Sequence, residues 1–136
     1  MEDRYRSLEG YEGLSPLDKF GKFLMQNVRD EAIRYYEDLA RGHLKAPSVA
    51  SLQEELGSMS DWQRVIVWRC VRVSVDVAIG SFLFKLQEQA DFENEIQVLV
   101  DGVNVVESSE ALHWEPYGED GWEAKYSAYG EAPEIA

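Results

Sequence analysis

From Ser60 to Gln89 the chain contains no proline and one glycine, Gly80, and no other stretch constrains the fold as much. Strands usually run for about five or six residues, so an unpunctuated segment of this length predicts a helix. It does so even though Val71, Val73, Val75 and Val77 alternate with Arg72, Ser74 and Asp76 as a half-buried strand would. Ser60-Asp-Trp-Gln63 supplies a capping box at its start, with the serine bonding forward and the glutamine bonding back. The tract from Val65 to Leu86 is the most apolar in the chain, but Arg69, Arg72, Asp76 and Lys85 interrupt it. A bilayer-spanning helix needs about twenty nearly uncharged residues, so the tract is expected to be a core element rather than a membrane anchor.

Upstream, Ser15-Pro16 reads as an N-cap followed by proline at the first helical position, with Asp18 in the first turn. Leu17, Phe20, Leu24, Val28, Tyr35 and Leu39 keep helical spacing, broken at Glu31, until Gly42 stops the helix and His43 follows at its C-terminus. A short helix is expected after Pro47, with Ser51 and Glu54 in capping-box spacing, Val49, Leu52 and Leu56 on one side, and Gly57 as terminator. Residues 1–14 read as an irregular lead-in.

After residue 90 the pattern turns to strands. Ile96–Val100, Asp101-Gly102 and Val103–Val106 form a hairpin signature, because Asp-Gly supplies the positive φ angles of a type I′ turn. Alternation of Trp122, Ala124, Tyr126 and Ala128 with polar neighbours predicts a third strand, after a loop from Ser108 to Gly121. The fold class expected is therefore α+β. Two long helices and one short helix occupy residues 15–90, and a small antiparallel β-hairpin or sheet lies in residues 91–136, all in one domain over 1–136.

Charge divides the chain unevenly. Residues 1–90 hold 12 basic and 14 acidic side chains, a net of −2, whereas residues 91–136 set Lys125 alone against 12 acids, a net of −11. Phosphate backbones are repelled by such a surface, so direct nucleic-acid binding is not expected, whereas a basic protein would be drawn in. The one cysteine, Cys70, can form no internal disulfide and is expected as a small buried hydrophobe in a cytoplasmic protein. The N-terminus shows no apolar stretch of signal-peptide length, so no export is expected.

Two groups of residues stand out as candidate sites. Trp114, Glu115, Tyr117, Glu119, Asp120 and Trp122 bring aromatic anchors and acids together on one loop, a composition suited to binding a basic partner. Arg69, Arg72 and Asp76 share one stripe of the long helix, either as an anion-binding cluster or as an internal ion-pair group in which Arg72 holds Asp76. His113, Glu115, Glu119 and Asp120 match no metal-binding spacing, and neither a nucleophile motif nor a nucleotide fingerprint occurs, so no metal, cofactor or catalytic residue is assigned. The function expected is a non-catalytic acidic interaction module of inhibitor, immunity or adaptor type. The residues also allow two other functions: a small-molecule or enzyme-like site between the helices and the sheet, using the Arg69–Arg72–Asp76 stripe with His113, and self-association through an exposed sheet edge.

Overall fold

A computed structural model describes residues 10–131. It is mostly helical with one small antiparallel sheet. The first helical region consists of α1 (Pro16–Leu24), a π-helical turn (Met25–Arg29) and α2 (Asp30–Ala40), which run on from one another. The Ser15 hydroxyl accepts the Asp18 N–H, as an N-cap should. At the far end Gly42 adopts φ +70°, and its N–H and that of His43 bond back to Leu39 and Asp38, closing the helix in a Schellman-type stop.

The π-turn shifts the buried face by one residue. Phe20, Leu24 and Met25 are buried up to its start and Arg29, Ile33 and Tyr36 after it, so two adjacent residues, Leu24 and Met25, face inward where the frame changes from the Phe20–Leu24 row to the Met25–Arg29–Ile33 row. Val28 and Tyr35, expected on the buried stripe, are 44% and 49% exposed. The irregularity at Glu31 was the trace of this shift.

A 3-10 turn (Pro47–Val49) leads into α3 (Ala50–Ser58). The capping box expected from Ser51 and Glu54 does not form, because the helix begins ahead of it. Gln53 instead clamps the preceding loop, accepting the Leu44 N–H at 2.9 Å and donating to the Leu44 carbonyl at 2.8 Å. Gly57 lies inside the helix, which ends one residue later.

The long helix, α4 (Asp61–Phe92), settles the choice between helix and strand over residues 64–79. Both arms of its Ser60–Gln63 capping box are present, at 3.2 and 2.9 Å. Its buried face is Arg72, Asp76, Ile79, Leu83 and Leu86, in steps of four and three. Cys70 lies on the opposite side and is exposed, contrary to the expectation that it is buried.

The hairpin forms with β1 (Leu99–Val100) and β2 (Val103–Asn104) around Asp101-Gly102, both at positive φ (52° and 79°). Its strands are shorter than expected. The Asn104 side chain accepts the Val106 N–H and turns the chain into a 3-10 segment, Val105–Ser108, once Val105 has donated to the Val98 carbonyl. The expected third strand is absent: Trp122–Tyr126 is a short helix, α5. Its first N–H groups bond to the carbonyls of Glu115 and Pro116, and Trp122 and Glu123 are buried side by side rather than alternating.

The main core lies where α1 and the π-turn (Phe20, Leu24, Met25) meet α4 (Ile79, Leu83, Leu86), sealed by Val105, Val106, Leu112 and Trp122. Trp122 packs edge-on to Phe20, with ring centroids 6.0 Å apart, and lies flat against Gly21, where any side chain would collide with the indole.

Candidate functional site

Two arrangements concentrate chemistry. The first is a buried ionic cluster at the π-turn. Arg29 is wholly inaccessible to solvent; its Nε donates to Asp76 Oδ1 at 2.8 Å and stands 3.2 Å from Glu123 Oε2. Its Nη1 donates to Ser127 Oγ and to the Gly130 carbonyl, each at 2.7 Å. Asp30, the next residue, accepts Ser127 Oγ at 2.6 Å and the Ala128 N–H at 2.9 Å. Arg72 donates to the carbonyl of Glu131 at 3.1 Å and more weakly to that of Tyr129 at 3.4 Å, with its guanidinium over the rings of Trp68 and Tyr129. Arg29, Asp30 and Arg72 thus fasten residues 127–131 onto the helices by polar contacts.

Burial holds the Arg72 pKa below its ordinary value, helped by the like charge of Arg29 and opposed by Asp76, Glu123 and Tyr129. Tyr117 faces the same cluster: a side-chain carbon at Gly80 would stand 3.3 Å from its hydroxyl. Burial first, then the charges of Glu123 and Asp76, push the Tyr117 pKa up. The expected stripe is therefore only partly assembled. Asp76 is bonded to Arg29 rather than to Arg72, while Arg69 is only partly buried. Arg29 Nη2, Arg72 Nε and Asp76 Oδ2 are buried without a hydrogen-bond partner among the described residues, so the cluster is tightly enclosed but not fully satisfied. Sequence reading missed Arg29, Asp30 and Glu123; the one available signal was the break in the α1–α2 apolar spacing.

The second arrangement is the acid–aromatic loop. A 3-10 turn (Leu112–Trp114) is anchored by Leu112, which is fully buried and whose N–H donates to Gln87 Oε1 at 2.9 Å. His113 packs edge-on against Phe84 at 5.1 Å, and Pro116 is fully buried. Trp114 projects from this platform at 67% exposure, and Tyr117 is 42% exposed. Glu119 and Asp120 are exposed, while Glu115 is half-buried and accepts Ser109 Oγ at 2.7 Å. Trp122 does not join this surface. It is 1% exposed and belongs to the core, because Gly21 lets the indole lie flat on α1.

A groove of about 490 Å³ opens between α1 and the hairpin, lined by Phe20, Phe23, Val98 and Val100, with the 2.6 Å Lys19–Asp101 ion pair among its lining residues. None of Arg69, Arg72, Asp76 and His113 lines it. Among the described residues no helix is long and apolar enough to cross a membrane. Comparison with protein-family models, with curated proteins and with solved structures finds no match.

Proposed function

We propose that this chain is a non-catalytic, cytoplasmic interaction module that binds a basic protein through the loop carrying Trp114, as an inhibitor, immunity-type neutraliser or adaptor. The observation that supports it is Trp114, a large aromatic side chain two-thirds exposed on an anchored turn, beside exposed Tyr117, Glu119 and Asp120. Aromatic anchors supply much of the energy of an interface, and surrounding acids raise the encounter rate with a cationic partner. The net of −11 over residues 91–136 extends that field beyond the loop.

The test is affinity capture of the tagged protein from its native cell lysate at low and high salt, beside Trp114→Ala and the double variant Glu119→Lys/Asp120→Lys. A basic protein is expected to be retained at low salt, shed at high salt and lost in both variants. Retention unchanged by the double charge reversal overturns the reading.

A second reading is favoured by the groove between α1 and the hairpin: an apolar small molecule on Phe20, Phe23, Val98 and Val100 whose carboxylate displaces Asp101 from Lys19. A thermal-shift series with medium-chain carboxylates tests it, and no shift at saturating ligand counts against it.

A further inference from the structure

The groove between α1 and the hairpin carries its ion pair at one end. Lys19 and Asp101 meet there at 2.6 Å, while Phe23 lies one turn, about 6 Å, further along α1 and Val98 about 10 Å back along the hairpin arm. Val98 and Val100 share one face of that arm, and Leu99, on the other, is 62% exposed. Such a lining, apolar along its length with a polar terminus, suits an amphiphile.

Asp101 occupies the first central position of the turn, with φ +52°. A type I′ turn takes Asn-Gly there as readily as Asp-Gly, so the hairpin itself does not require the negative charge. That charge is nonetheless turned onto Lys19 Nζ. The two side chains are 26% and 56% exposed, and a pair so open to water shifts an equilibrium by no more than about fivefold. Asp101 is therefore held at Lys19 closely but weakly.

On the reading of this groove as a carboxylate site, on which the inference rests, we propose that Asp101 is its built-in competitor. The Asp101 carboxylate holds the place at Lys19 Nζ that a ligand's carboxylate takes, and so sets how tightly the groove binds amphiphilic monocarboxylates. Exchange replaces one carboxylate by another on the same ammonium, so the charge-assisted hydrogen bond is restored by the ligand while Asp101 returns to water. Net affinity then comes from the apolar tail covering Phe20, Phe23, Val98 and Val100. Glu12, the other acid of the lining, is engaged elsewhere, accepting the Gly10 N–H at 3.2 Å.

Calorimetric titration of the full chain with octanoate, and with octan-1-ol as a tail of the same length without the charge, tests the proposal. In Asp101→Asn, which keeps the turn, octanoate is expected to bind about three- to fivefold more tightly and octanol with unchanged affinity. In Lys19→Gln octanoate is expected to fall to the affinity of octanol. Adding Asp101→Asn to Lys19→Gln is expected to bring no gain, because the competition is for the ammonium. Circular dichroism and urea midpoints check that the variants fold. Equal octanoate affinity in the wild-type chain and Asp101→Asn, an equal gain for octanol, or the same gain without Lys19 overturns the proposal and leaves the groove reading standing. Binding of neither probe to any of these chains removes the groove reading and the proposal together.

Discussion

Arg29 and Asp76, forty-seven residues apart, meet at 2.8 Å with the guanidinium wholly removed from water. Two charges in such a place bind each other strongly because neither has solvent as an alternative, and removing one leaves the other stranded. Arg29→Met is accordingly expected to destabilise the fold by about 3–5 kcal/mol in urea unfolding, since Asp76 and Glu123 both lose the cation beside them. Adding Asp76→Leu is expected to recover part of that loss. A double variant as unstable as the sum of the singles would show that the two side chains act independently.

Gly21 admits the Trp122 indole onto α1, and Gly21→Ala places a methyl group inside the ring's volume. The expected cost is about 1–3 kcal/mol, with loss of the near-ultraviolet circular dichroism of the immobilised tryptophan. Trp122→Ala removes the indole from the core and is expected to cost about 3–5 kcal/mol by chemical denaturation.

Trp114 gives the opposite result if its exposure means what we propose. Trp114→Ala is expected to change stability by no more than about 0.5 kcal/mol while removing partner capture. A large loss of stability would place Trp114 among the structural aromatics and withdraw it as a binding anchor.

Alkaline pH probes the tyrosines. Burial raises the pKa values of Tyr11, Tyr36, Tyr117 and Tyr129 above the ordinary 10.0. The folded chain therefore keeps phenol protons that the unfolded chain has begun to release. This contribution to stability is fully present below pH 10 and falls away as pH rises through the raised values. Phenolate absorbance is expected to appear at higher pH in the folded protein than in urea. In Tyr117→Phe, which has no phenol proton to lose, the alkaline fall in stability is expected to be shallower.

Much of the helical framework can be read from the residues because caps and turns act locally. Ser15, the Ser60–Gln63 box, Gly42 and Asp101-Gly102 all behave as their side chains and φ angles require. What could not be read depends on contacts distant in sequence. Trp122 looked like a strand residue of a recognition surface, and only its meeting with Gly21, about a hundred residues earlier, makes it core. Arg29 and Asp30 looked like surface charges of an amphipathic helix. Nothing local reveals that residues 127–131 come back to bond with them. Cys70 was misplaced for a related reason: on a helix apolar almost all round, hydrophobicity does not say which side faces in.

The π-turn also bears on how the chain tolerates change. A residue added to or taken from a helix rotates everything beyond it by about 100°. Met25–Arg29 already contains one such rotation, and both flanks are fitted to it: Phe20 and Leu24 on one side, Ile33 and Tyr36 on the other. This segment can therefore vary in spelling more readily than in length. Losing one residue here would leave every side chain chemically intact and still swing Phe20 and Leu24 off the face that carries Arg29, unpairing the hydrophobic half of the molecule from its ionic half.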